Sequence, residues 1–228
     1  MKNNFRNIIA LGLAPILLLL ASCSKSNDLP GGSAPEAEIL IAHYPLSENG
    51  NDLTGLNAAM TLRNAPFLYG GIFCNGIYVY SPNTDYCLAE SPPINSFPFE
   101  SFSISMDFFV TEKVNQPVWV IGKGCRWLGF CLSVDGTVEL LYNNSNHLLT
   151  PKSYTINEWH NAKISYDGAE ASIFLDNSLA GTLKFGNGYV PLDYGACGTA
   201  DTEIGVTNYS NGVVFRGYVK NLKVYRLK

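Results

Sequence analysis

The side chains best placed to do chemistry in this sequence are aromatics set beside amides and a cation. Trp127 follows Arg126 in a stretch opened by Gly124 and Cys125. A Trp in such a loop has weak reason to be core. Its flat apolar face can stack on a sugar ring while Arg126 and nearby amides donate hydrogen bonds. Tyr142 with Asn143 and Asn144, and Tyr209 with Asn208, repeat the aromatic-plus-amide combination in or near loops. Packing is the competing explanation for each, because 13 Tyr and 12 Phe must mostly fill a core. Trp119 and Trp159 sit inside strand-like runs and read as core.

The carboxylates are less promising. Hydrolysis of a glycosidic bond takes two of them, about 5–9.5 Å apart. Asp107 lies on the polar side of an alternating run whose same-side neighbours are Ser103 and Ser105, so no second acid stands at that spacing. A solvated or hydrogen-bonded strand Asp is the simpler reading. No Gly-x-Ser-x-Gly elbow is present. The three histidines, His43 in an opening strand, His147 in a polar loop and His160 beside Trp159, read as structural or solvated. Ser47 to Asp52 is rich in oxygen donors, and Asn49 and Asp52 are weak candidates for a structural calcium. A Gly/Asn-rich turn explains the same residues.

Six cysteines are present. Cys125 and Cys131 are spaced to close a short loop around Arg126 and Trp127, and Cys74 and Cys87 flank a turn containing Pro82. Cys197 is then left over. Alternatively, several of them are buried small hydrophobes, and spacing alone does not fix the pairing. No Cys/His set has zinc-like spacing. The net charge is −4 with no basic cluster, which argues against nucleic acid as a partner.

The elements that must position these side chains read as strands. In Phe102 to Phe108, apolar and polar residues alternate, so Phe102, Ile104, Met106 and Phe108 share one face. Val118 to Ile121 is an apolar run. Leu128, Phe130, Leu132 and Val134 alternate in turn, and Asp135 with Gly136 marks a hairpin that returns through Val138 to Tyr142. Trp159 to Tyr166 ends at Asp167 and Gly168, Ala171 to Leu175 returns, and Asp176 with Asn177 turns into Leu179 to Phe185. Val213 to Leu227 closes the chain. Short strands with regular turn signals and no long helical period indicate an all-β sandwich or barrel.

The N-terminus has a different composition. Lys2 and Arg6 precede an apolar run from Ile8 to Leu20, followed by Ala21, Ser22 and Cys23, the order of a cleaved secretory leader over 1–22. Residues 23–38 then read as a polar, Pro/Gly-containing tether, and 39–228 as one β domain. Leu20 to Cys23 resembles the lipobox of bacterial lipoproteins. The resemblance implies acylation of Cys23 and an outer-membrane lipid anchor, with no other membrane contact. Ser24 to Asp28 only partly resembles the surface-export run of Bacteroidetes lipoproteins, so cell surface and periplasmic face both stay open.

Three segments together resemble the laminin-G-like, concanavalin-A-like jelly-roll family. They are His43 to Leu46 with Asn51 to Gly55, Trp159 to Gly168 running into Ile173 to Asn177, and Ile204 and Gly205 with Phe215 to Tyr225. The resemblance implies a two-sheet antiparallel jelly-roll whose first and last strands pair. Glycosidases of this family carry acids at alternating positions on one strand, as Glu-x-Asp-x-Glu or Glu-x-Asp-x-x-Glu, and neither run occurs here. Relatives that bind calcium often carry acids where this chain has Lys220 and Asn221. The resulting expectation is a non-catalytic cell-envelope binding module for carbohydrate or glycoconjugate. A protein-interaction or adhesion subunit is the alternative, and a divergent glycoside hydrolase or lyase ranks third.

Overall fold

A computed structural model describes residues 37–74, 88–91, 93–95, 100–113, 116–121, 128–142, 146–185, 202–204 and 215–228. Pro35–Lys228 clusters as a compact unit distinct from Met1–Ala34, and Cys23 lies outside the described residues. The chain runs through β1 (Glu38–Tyr44), β2 (Thr61–Arg63), β3 (Phe67–Leu68), β4 (Gly71–Cys74), β5 (Leu88–Glu90), β6 (Phe102–Val110), β7 (Gln116–Ile121) and β8 (Leu128–Leu132). It continues through β9 (Thr137–Tyr142), β10 (Asn146–Ser153), β11 (Trp159–Tyr166), β12 (Glu170–Leu175), β13 (Ser178–Lys184), β14 (Thr202–Ile204) and β15 (Gly217–Leu227).

These strands form two antiparallel sheets. The eight-stranded sheet has the order β13-β12-β11-β6-β15-β4-β3, with β1 also paired to β15. The seven-stranded sheet runs β10-β9-β8-β7-β14-β5-β2. The first and last strands pair as expected, Glu38 opposite Leu227 through Tyr44 opposite Leu222. Strand β15 is long enough to serve two neighbours on one edge, since Gly217 to Val219 face β4 while its later residues face β1.

Alternation decides which side chains enter the core. Phe102, Ile104, Met106 and Phe108 of β6 and Ala162, Ile164 and Tyr166 of β11 are buried. They meet Phe130, Leu132, Val138 and Leu140 of the other sheet in one apolar cluster. Phe108 and Phe130 touch across the two layers with ring centroids 5.5 Å apart. Each such large side chain contributes about 1.5–3 kcal/mol by leaving water. The turns use the chemistry their residues suggest. Gly136 and Gly168 have φ of +91° and +95°, and Asp176 and Asn177 form a two-residue turn at +50° and +61°.

Several expectations change. Val134 leaves the strand after Leu132 and is exposed in the turn, because the hairpin bond from Ser133 N–H to Thr137 C=O already closes the ladder. His147 belongs to β10, paired with Leu141, and not to a loop. The two- to four-residue strands β2 to β5 and β14 were not foreseen.

Candidate functional site

The outer face of the eight-stranded sheet carries a row of aromatic residues. Trp159 on β11 stands opposite Phe109 on β6, Phe109 opposite Tyr218 on β15, and Tyr218 opposite Phe73 on β4. Neighbouring rings meet at 5.8 Å, 5.6 Å and 4.9 Å between centroids. The row exists because each strand keeps the same period of two. Phe108 and Val110, His160, Gly217 and Val219, and Ile72 and Cys74 are buried beside these positions, so the four aromatics face outward and stay partly exposed.

Tyr69 caps the row. It occupies the β3–β4 hairpin turn with Gly70, at φ +51° and +73°. Asn-Gly is the usual choice for such a turn, whereas a Tyr in the left-handed region is strained by about 1–2 kcal/mol. Tyr69 is 80% exposed, so its ring gains little from burial. It leans edge-on against Tyr218 at 5.3 Å. The backbone strain at this exposed aromatic tip is not offset by burial of its ring.

Tyr69, Phe109, Trp159 and Tyr218, with Thr111 and Asn157 on the rim, line an open depression of about 330 Å³. Asn157, itself at φ +62°, is fixed by its N–H donating to the Val110 carbonyl at 2.8 Å. Gly71 lets β15 and the Trp159 ring approach β4 closely, because a Cβ there would lie 2.6 Å from the Val219 carbonyl oxygen and 3.3 Å from the Trp159 ring. The Lys220 ammonium lies 3.9 Å from the centroid of Trp159. Apolar ring faces bordered by a hydroxyl, an amide and a cation suit a ligand with both C–H faces and hydroxyls.

The next row inward along the strands aligns Asn161, Asp107 and Lys220. Asp107 is on the outward face as expected. Its Oδ1 accepts from Asn161 Nδ2 at 2.8 Å and its Oδ2 from Asn221 Nδ2 at 2.7 Å. It therefore braces three strands.

Two further polar clusters are structural pins. Asp52 Oδ1 accepts from the N–H groups of His43 and Thr54, and Oδ2 from the Thr54 hydroxyl and from the backbone and side-chain N–H of Asn57. Burial pushes this carboxyl up, but the bonds from His43, Thr54 and Asn57 outweigh it and hold the pKa at about 2. Asn49 Oδ1 accepts from Asn51 N–H at 2.9 Å. Both weak calcium candidates thus turn their oxygens to their own loop, and among the described residues no His, Cys, Asp or Glu cluster suits a metal. His160, buried, joins Asp176 through Nδ1 at 2.8 Å and accepts the Thr155 N–H at Nε2. This ties the start of β11 to the β12–β13 turn. His43 has a buried Nε2 without a hydrogen-bond partner.

The residues singled out from sequence fare unevenly. Arg126, Trp127, Asn144, Tyr209, Cys87 and Cys125 lie outside the described residues, as does Cys197. Tyr142 ends β9 opposite Leu128 and Asn146, and its side chain is outside the description. Cys131 corrects the expected Cys125–Cys131 bridge. It is a free thiol, 6% exposed in the middle of β8, where it acts as a small buried hydrophobe. Burial, and then the charge of Glu139, push that thiol well above its ordinary range. Cys74, buried in β4, is disulfide-bonded to a partner outside the described residues. Trp159 is the second correction. It is an outward, half-exposed wall of the depression and not core.

No protein-family model and no curated protein matches the chain. Solved structures do. Domain 4 of AbnA, a GH43 extracellular arabinanase from Geobacillus stearothermophilus solved with arabinotriose, superposes with a TM-score of 0.63 at 16% identity, covering 84% of this chain and 94% of that one. Trypanosoma rangeli sialidase superposes at 0.61 with 18% identity, over 83% of this chain and 31% of the sialidase. At such identities the likeness is one of fold, a β-sandwich compatible with the concanavalin-A-like jelly-roll and used by carbohydrate-active proteins.

Proposed function

We infer that the protein is a non-catalytic glycan-binding module of the cell envelope, held to the outer membrane through lipid on Cys23. The observation that carries this reading is the aromatic depression on the outer face of the eight-stranded sheet. Its strained, exposed Tyr69 and half-exposed Trp159 present ring faces of the kind that stack on sugars. About 330 Å³ falls at the lower end of the range of ligand sites, about 300–1,000 Å³, room for a short stretch of glycan. A solved domain of the same fold carries arabinotriose, which supports sugar as the ligand class by analogy. Binding in place of catalysis is favoured because Asp107, the acid beside the depression, has both oxygens committed to amides.

A glycan array probed with the wild-type protein and with Tyr69→Asn tests this reading. Asn suits the left-handed turn, so the variant should fold normally. Signals on particular glycans that weaken in the variant support the site. An array without signal, or with signals indifferent to Tyr69 and to Trp159→Ala, overturns it.

Exposed apolar residues favour a second reading. Leu53 and Leu56 in the loop that follows β1 are exposed, as are Ile39 and Leu40 at the start of that strand. A protein partner in an envelope assembly would cover them. Capture of a single envelope protein, lost on Leu53→Ser with Leu56→Ser, would favour that reading.

A further inference from the structure

Building on the glycan reading of the depression, we propose that the sugar it takes is anionic, bearing carboxylate or sulfate, and that Lys220 and Lys223 receive that charge. Strand β15 is broken between these two lysines. Residues three apart on a regular strand face opposite sides of the sheet. Between Lys220 and Lys223 the pairing register with β6 shifts, and Asn221 adopts φ +54°. The bulge is anchored by Asn221 N–H donating to the Pro45 carbonyl at 2.9 Å. Leu222 consequently turns into the core while Lys220 and Lys223 both stay on the outer face. Bulges re-aim side chains in this way next to functional sites.

Among the described residues neither cation is held in an ion pair. Among the described residues, no carboxylate oxygen lies within 4.0 Å of the Lys220 or Lys223 ammonium. Lys163, on the same face, is paired with Glu38. Asp107 stands directly across from Lys220 and keeps its charge, but its two oxygens are held by Asn161 and Asn221 and form no ion pair with the ammonium. Lys220 instead rests over the Trp159 ring, at the edge of the aromatic depression. An indole holds the ammonium in place without cancelling its charge. Lys223 stands opposite His43, whose basicity is lowered by burial and then by the Lys223 charge, against smaller opposing effects of Asn221 and Asp52. Lys220 borders the aromatic walls and Lys223 lies two same-face rows from them along the sheet, opposite Ser105, so an acidic sugar chain stacked on the rings can reach both cations.

Calorimetric titration of the full chain tests this with matched pairs. One pair is an oligogalacturonate and its methyl ester, which removes the carboxylate charge. The other is a sulfated galactan oligosaccharide and its desulfated form. In at least one pair the charged member should bind about tenfold or more tighter than the neutral one at low salt. That preference should shrink near 0.15 M salt. In a Lys220→Met, Lys223→Met double variant the charged-to-neutral ratio should fall to about one. Whichever pair shows the preference identifies the anion. Equal affinities within both pairs, or a preference that survives in the double variant, overturn the proposal and leave the glycan reading standing. Absence of binding by all four sugars overturns this proposal, while the glycan array decides the reading it rests on.

Discussion

Replacing Asp52 with Ala removes one carboxylate and strands several donors. Its oxygens accept from His43 and Thr54 at Oδ1, and from the Thr54 hydroxyl and both Asn57 N–H groups at Oδ2. Those bonds close the loop after β1 over the free edge of that strand, where Asn57 Nδ2 also donates to the Ile41 carbonyl at 2.9 Å. Holding the carboxyl at about 2, against 3.8 for a free Asp, corresponds to about 2 kcal/mol. Partial solvent exposure trims that figure, so a loss of about 1–2 kcal/mol is expected in urea unfolding followed by tryptophan fluorescence. The sign with pH follows from the lowered value. The folded state binds the proton less readily than the unfolded chain, so the contribution is complete above about pH 4 and is lost as pH falls towards 2. Wild type and variant should therefore differ most above pH 4 and converge in acid. A variant within about 0.5 kcal/mol of wild type at pH 7 would show that these bonds do not hold the loop. So would two pH curves that run parallel between 4 and 2.

Other outcomes follow from the same structure. Because the Asp52 oxygens are already taken, calcium and EDTA should each leave the melting temperature unchanged; a rise with calcium would restore Asp52 as a ligand. Gly217→Ala should destabilise by about 3 kcal/mol or more, since a Cβ there would lie 1.9 Å from the Phe109 carbonyl oxygen. Differential scanning calorimetry reads that loss. Cys131 should resist maleimide in the native protein and react only after unfolding, as peptide mass spectrometry would report. Cys23→Ser should abolish incorporation of labelled fatty acid in cells; unchanged labelling would dismiss the lipobox reading.

The parts of the fold that were legible in the sequence are those where one signal dominates. The Asp-Gly and Asp-Asn turns are read directly, because few residues tolerate φ > 0 there. The run from Phe102 to Phe108 and the β11–β12 hairpin follow from strict alternation. Strands of two to four residues carry too little period to be seen, so β2 to β5 and β14 emerge only through their partners. Trp159 shows a different kind of miss. Strand propensity suggested core, but parity held the answer: Ala162, Ile164 and Tyr166 point inward, so Trp159 must share the outward face with Asn161 and Lys163. Tyr69 was equally accessible, as a hairpin turn with Tyr where Asn is cheaper. Cys131 could not be placed by parity. It lies on the face opposite Leu128, Phe130 and Leu132 and is buried all the same.

Glycan binding at this sandwich requires sugar to enter the aromatic depression. Heteronuclear NMR of the Trp159 indole N–H and of ring-labelled Tyr69 and Tyr218, during titration with oligosaccharides that score on an array, reads that event directly. Saturable shifts at these three rings, with the core signals of Phe102 and Ile104 unmoved, are the predicted result. Binding that leaves all three rings unperturbed would contradict it and place the site elsewhere on the sandwich.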